Sequence, residues 1–268
     1  MEMLSATKPD IRAVSIAQQI HKVADAEQTF LFGSRARGDH RPDSDIDVVV
    51  VKEEPQTESW LEDLQRHARD IQKTQMPEAS GIDVICMTKS EFNRGRVLRN
   101  HMANTIAKEG YPTMPDEGVG YGTDYADERI DWDDVDKKII DATGAATWIN
   151  AIRDAGIIDV GDDLQLGRVA QNALEFAYKA VLGAHGCAYP VSGRDGHNLR
   201  ILTDLLRENQ IIGADELAPG ENHRYLTEFG GGAVYAREHP PLDRRLIARE
   251  IPQAVAQLRT MVDDTRHS

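Results

Sequence analysis

Over the first 115 residues, short apolar runs bounded by glycine and charge alternate with amphipathic stretches. QTFLFGS (28–34) reads as a short buried strand, DIDVVVV (45–51) as a second and GIDVICM (81–87) as a third. Between the last two, WLEDLQRHARDIQKTQ (60–75) sets Trp60, Leu61, Leu64, Ala68 and Ile71 near helical spacing. SEFNRGRVLRNHMANTIAKEG (90–110) predicts a helix with Ser90 as its N-cap.

From residue 131 the period changes to that of helices, and no strand is predicted. DDLQLGRVAQNALEFAYKAVLGAHG (162–186) is the strongest helix. Leu166, Val169, Ala170, Ala173, Leu174, Ala177 and Val181 form one face, Asp162 or Asp163 caps the start, and Gly183 and Gly186 lie at the end. DWDDVDKKIIDATGAATWINAIRDAG (131–156) and HNLRILTDLLRENQ (197–210) predict two more, NHRYLTEF (222–229) a weaker one, and LDRRLIAREIPQAVAQLRTMV (242–262) the last. Pro252 either kinks that last helix or starts a new one. The pattern predicts an α+β/α class: an N-terminal α/β domain with a mixed sheet, then a C-terminal all-α helical bundle of four or five helices.

Charge places the boundary between them. The net charge of −14 is concentrated: residues 116–136 carry nine acids against one arginine, and each flank comes to only −3. The expected domains are 1–115, an acidic linker over 116–130, and 131–268. The overall acidity argues against general nucleic-acid coating. No apolar run of about 18 residues offers a membrane span, and no signal peptide is evident. Cys86 and Cys187 have no metal-type neighbours, so a reducing cytoplasm is expected.

Two aspartates open the second strand. Asp45 and Asp47, two residues apart, place their carboxylates side by side, and Asp83 opens the third strand between apolar neighbours. Like charges that close need cations, and hard oxygen donors suit Mg²⁺. If the strands pair, Asp83 reaches the same ions, and two metals about 4 Å apart could clamp both oxygens of a phosphoryl or nucleotidyl transfer. Upstream, Gly33 permits close backbone approach, Ser34 opens a turn whose N–H groups could hold phosphate, and Arg35 and Arg37 add positive charge. Two other readings fail. Gly33 and Gly38 have P-loop spacing, but Asp39 and His40 follow where lysine is required. Asp43, Asp45 and Asp47 begin like a calcium loop, but Val48 occupies the position that needs glycine. Asp39 and Asp43 read as solvated turn residues.

Gly33-Ser34, ten residues, Asp45-Ile-Asp47 and then the apolar-flanked Asp83 resemble the signature of the nucleotidyltransferase superfamily related to DNA polymerase β. The compact GSRARG form is most similar to its minimal members, the MNT domains, over about residues 10–115. The resemblance implies that Ser34 contacts nucleotide phosphates and that Asp45, Asp47 and Asp83 hold two Mg²⁺, with Mn²⁺ as the alternative. It also implies transfer of a nucleoside monophosphate, AMP from ATP, to an acceptor hydroxyl with release of pyrophosphate. NALEFAYKAVLGAHG, GHNLRILTDLL and RYLTEFGGGAVYARE resemble the HEPN domain, a helical bundle often paired with MNT domains, over about 131–262. That resemblance brings the expectation of a homodimer through the helical domain. Many HEPN domains cleave RNA through Arg-x4–6-His, a motif absent from the second half: Arg194 and His197 are three apart, and Arg35/His40 and Arg96/His101 lie in the first.

A small-molecule acceptor such as an aminoglycoside is the first expectation. The alternatives are a toxin–antitoxin-type MNT–HEPN module acting on RNA or protein, and a nucleotide sensor without turnover. Glu175, Tyr178, Lys179 and His197 are candidates for the domain cleft. Against that, Glu175 reads as an ordinary helix-surface acid and His197 as a residue that caps or packs a helix start. Trp60, Trp132 and Trp148 read as packing residues.

Overall fold

The computed structural model describes residues 8–114, 129–160, 162–190, 196–230 and 241–268. The chain divides into two compact units, Met1–Glu128 and Arg129–Ser268. The acidic linker up to residue 128, the glycine run from residue 231 and the Tyr-Ala-Arg at 235–237 lie outside the described residues.

In the first unit α1 (Ile11–Ala24), β1 (Gln28–Phe32), α2 (Gly33–Arg37), β2 (Ile46–Lys52), α3 (Glu58–Gln75), β3 (Ile82–Thr88), α4 (Lys89–Gly95), α5 (Met102–Glu109) and β4 (Tyr111–Pro112) follow in order. The sheet runs β3-β2-β1-β4. β1 is antiparallel to both β2 and β4, and β2 is parallel to β3, so the sheet is mixed.

The valine run is explained by helices on both faces. Ile46, Val48 and Val50 face α1 and α3 with Leu31, Ile82 and Val84. Val49 and Val51 face α4 and α5 with Phe30, Phe32, Phe92 and Ile106. A strand covered on both faces reads as a continuous apolar run rather than an alternating one. Asp47 and Asp83 are in phase with Val49 and Ile85, so they open the α4–α5 side of the sheet where its apolar packing ends.

The helix expected over 90–110 is two helices. Thr88, not Ser90, is the N-cap, in a reciprocal capping box with Glu91. After Gly95 the chain turns back: Leu98 N–H donates to Gly95 and His101 N–H to Leu98, and the His101 ring caps α5 through the Ala103 amide at 3.1 Å. A Cβ on Gly95 would lie 2.3 Å from that ring, so the turn requires glycine.

The second unit holds α6 (Trp132–Asp154), α7 (Asp163–Ala184), α8 (Leu199–Glu208), a 3₁₀ segment (Glu221–Phe229) and α9 (Arg244–His267) among its described residues, with no strand. Asp162 caps α7 and Asn198 caps α8. α7 is the axis of the bundle, packed by α6, α8, α9 and the 3₁₀ segment. Its run of alanines, Ala170, Ala173, Ala177, Ala180 and Ala184, is fully buried and admits the neighbouring helices closely. Pro252 does not interrupt α9. Its ring removes the amide that would bond the Ala248 carbonyl, and Arg153 Nη1 of α6 donates to that carbonyl instead, at 3.2 Å. Of the tryptophans, Trp60 and Trp132 pack against the cores, whereas Trp148 is partly exposed. No described helix is long and apolar enough to cross a membrane.

Candidate active site

Asp47 and Asp83 are direct partners in the parallel β2–β3 register, and Asp45 immediately precedes β2. One carboxylate oxygen from each of the three lies within 4.8 Å of the other two. Asp47 is the most enclosed, at 8 % exposure. Three hard oxygen donors this close, partly withdrawn from water, fit a divalent ion.

Gly33 lies against this cluster. It links the end of β1 to α2 with φ of +71°, and a Cβ there would stand 2.5 Å from Asp47 Oδ2. Both backbone conformation and space therefore demand glycine. Ser34, half-buried, follows at the start of α2, and its carbonyl accepts from Gly38 and Asp39 N–H, closing the short turn.

The two arginines differ in placement. Arg37 is exposed, with Asp39 at 3.2 Å and Glu109 at 3.8 Å. Arg35 is 1 % exposed and points into the protein. Nε donates to the Ser44 and Asp45 carbonyls (3.1 and 3.0 Å), Nη2 to those of Pro42 and Ser44 (3.0 and 2.6 Å), and Nη1 to Asp10 Oδ2 (2.5 Å). Asp10 also caps α1 through Arg12 N–H, and its own amide donates to the Arg35 carbonyl. Burial works to raise the Asp10 carboxyl pKa, but the Arg12 amide and the Arg35 guanidinium outweigh it and hold that pKa below the usual range.

On the far side of the cluster, α3 supports Asp83. The side-chain amide of Gln65 donates to Ile82 O (2.9 Å) and accepts from Val84 N–H (3.1 Å), bracketing Asp83 along the edge strand. Neither Asp10 nor Gln65 is singled out by sequence. Asp10 carries an N-cap signal, but its reach to Arg35 crosses 25 residues and exists only in the fold.

The second unit assembles its own polar group. Glu175, read from the sequence as a surface acid, is 3 % exposed and lies inside the bundle. Its carboxylate accepts from Lys179 Nζ (2.7 Å), Gln171 Nε2 (2.6 Å) and His197 Nδ1 (3.0 Å). Those partners make its burial tolerable. Burial works to raise its pKa, and the His197 hydrogen bond and the Lys179 charge outweigh it, holding Glu175 below the usual range. His197 is thus held by Glu175, while Asn198 does the capping. Tyr178 is a core residue whose hydroxyl donates to Pro219 O at 2.8 Å. Glu175, Lys179 and His197 come together within the helical unit, and Asp45, Asp47, Asp83 and Gly33 within the other.

No curated protein matches the chain. Residues 12–108 match the family model described as the nucleotidyltransferase domain, and they contain Gly33, Ser34 and all three aspartates. With a carboxylate cluster able to hold a metal ion set beside the Gly33-Ser34 turn, the chain carries a nucleotidyltransferase domain and is a nucleotidyltransferase enzyme.

Proposed function

We propose that this enzyme transfers AMP from ATP to an acceptor hydroxyl with release of pyrophosphate, and that Asp45, Asp47 and Asp83 hold two Mg²⁺, or Mn²⁺ in its place. The convergence of the three carboxylate oxygens within 4.8 Å, inside the matched domain, carries the reading. In the reaction the acceptor oxygen attacks the α-phosphorus, its proton leaves, and the bond to the bridging oxygen of pyrophosphate breaks. The bound ions would offset charge on the leaving pyrophosphate and lower the pKa of the acceptor hydroxyl. Ser34 and the exposed Arg37 are assigned to the triphosphate. Gly33 keeps the backbone close to Asp47.

We read the first unit as MNT-like and the helical unit as HEPN-like, with the acceptor selected by the helical unit and a cytoplasmic setting. A homodimer through the helical unit belongs to the same reading. The acceptor is taken to be a small polyhydroxyl or amino-sugar molecule. The complete aspartate set favours turnover over a nucleotide sensor, and the lack of Arg-x4–6-His in the helical unit disfavours RNA cleavage.

The test is incubation with labelled ATP, GTP, CTP and UTP, Mg²⁺ and a panel of aminoglycoside, protein and RNA acceptors, read by mass spectrometry. The expected product is an adenylylated small molecule with one pyrophosphate per transfer, abolished in the Asp45→Asn/Asp47→Asn double variant. RNA fragments without pyrophosphate, formed equally by that variant, would overturn the proposal.

A further inference from the structure

The three carboxylates must hold their arrangement before any cation arrives, and their mutual repulsion works to spread them. Two of the three belong to chain segments that could yield. Asp45 sits at the end of the loop that runs from Gly38 to β2, and Asp83 sits on β3, an edge strand with β2 on one side only. The middle member, Asp47, lies on an internal strand paired on both sides.

Each yielding segment is gripped by one side chain from outside the cluster. Arg35 spans the Pro42, Ser44 and Asp45 carbonyls with a rigid planar fork and is itself anchored on Asp10. Gln65 supplies β3 with the donor and acceptor that a further strand would have offered, on the residues either side of Asp83. Both grips act on backbone, so they fix where the aspartates leave the chain without touching the carboxylates' metal-facing oxygens.

We propose that Arg35 and Gln65 are positioning residues that hold Asp45 and Asp83 in the ion-binding arrangement against their repulsion. This rests on the metal-dependent reading of the same site, and it moves Arg35 from the phosphate-contacting role its place in GSRARG suggests. Groups that orient metal ligands without binding the ion are worth roughly 10–100-fold in metal affinity.

The experiment measures Mn²⁺ binding by electron paramagnetic resonance, without nucleotide, for the full-length wild-type chain, Arg35→Gln, Gln65→Leu and Asp10→Asn. Circular dichroism checks each fold. Amide hydrogen exchange over 39–46 and 82–84 is followed in metal-free protein. Arg35→Gln and Gln65→Leu are each expected to weaken Mn²⁺ binding about 10-fold or more. Exchange should quicken only in the segment each one grips. Asp10→Asn, which loosens the anchor but leaves the fork, should show a smaller change of the same kind. Saturating Mn²⁺ should return the KM for ATP in Arg35→Gln to near the wild-type value.

Mn²⁺ affinity within twofold of wild type in folded Gln65→Leu and Arg35→Gln would overturn the proposal. So would a KM for ATP in Arg35→Gln that stays raised at saturating metal, since that marks a phosphate ligand. Should Arg35→Gln not fold, Gln65→Leu decides the matter by the same criterion. Failure of the wild-type chain to bind Mn²⁺ would remove the metal centre itself, a different result from unaltered binding in the variants.

Discussion

At the scale of single residues, Gly33 and Asp83 test the centre from opposite directions. Gly33→Ala puts a methyl group 2.5 Å from Asp47 Oδ2 and strains a φ of +71°. Displacing a catalytic group by about 1 Å can cost on the order of 100-fold in rate. The expected outcome is a fall of that size in kcat with the protein still folded, read by pyrophosphate release. Asp83→Asn removes one of three mutually repelling charges. In EDTA its Tm should therefore rise, by about 2–4 °C if relief is worth roughly 1 kcal/mol. Mg²⁺ should stabilise the wild-type protein and leave the variant unmoved. Thermal scans with and without Mg²⁺ check both halves, and a Tm that falls in EDTA would mean the repulsion is already compensated. In the helical unit Glu175 makes a pH prediction. Its folded pKa is depressed, so its contribution is complete above the ordinary glutamate pKa and is lost as pH falls through the lower folded value. Glu175→Gln should flatten the acid limb of the stability curve. At neutral pH it should also cost about 3–5 kcal/mol, because Lys179 is left buried without its counter-charge. Chemical denaturation across pH measures both.

At the scale of elements, α9 shows how a locally unfavourable residue is accommodated. Pro252 orphans the Ala248 carbonyl in a partly buried turn, and Arg153 from α6 satisfies it. The two residues are therefore coupled although they do not bond. Arg153→Met alone should destabilise by about 0.5–1.5 kcal/mol, the net worth of a hydrogen bond to a partly buried acceptor. Pro252→Ala restores the helical amide, and in that background Arg153→Met should cost much less. A double-mutant cycle measured by urea unfolding gives the coupling, and additive effects would refute it. The break between α4 and α5 has the same logic: the Gly95–His101 contact needs the chain to fold back, and a continuous helix would carry the His101 ring away.

At the scale of the whole molecule, each unit has its own core. The strands and helices of the first enclose two apolar clusters, and the helices of the second enclose one larger cluster. Two units with separate cores need not unfold together. A ligand that binds only the folded first unit should raise only that unit's transition, by about 2.7 kcal/mol at a free concentration 100-fold above Kd. Differential scanning calorimetry with Mg²⁺ and a non-hydrolysable ATP analogue is expected to move one transition and leave the other. Equal displacement of both would show that the ligand couples the units.

The sequence alone determined the period of each element, and so the change from a mixed sheet to a helical bundle. It also determined the Gly33-Ser34, Asp45-Ile-Asp47 and Asp83 pattern, because strand alternation and turn chemistry are local. It could not separate α4 from α5, since helical periodicity continues through Arg96–His101 and the break depends on a ring packed against a glycine. It misplaced Glu175, whose spacing on α7 is that of a surface acid until Gln171, Lys179 and His197 surround it. It aimed Arg35 at the substrate for its charge, whereas tertiary structure spends that guanidinium on three loop carbonyls and Asp10. Local chemistry is written in adjacent residues; burial and partnership depend on which distant segments the fold brings within a few ångströms, and only the assembled chain decides that.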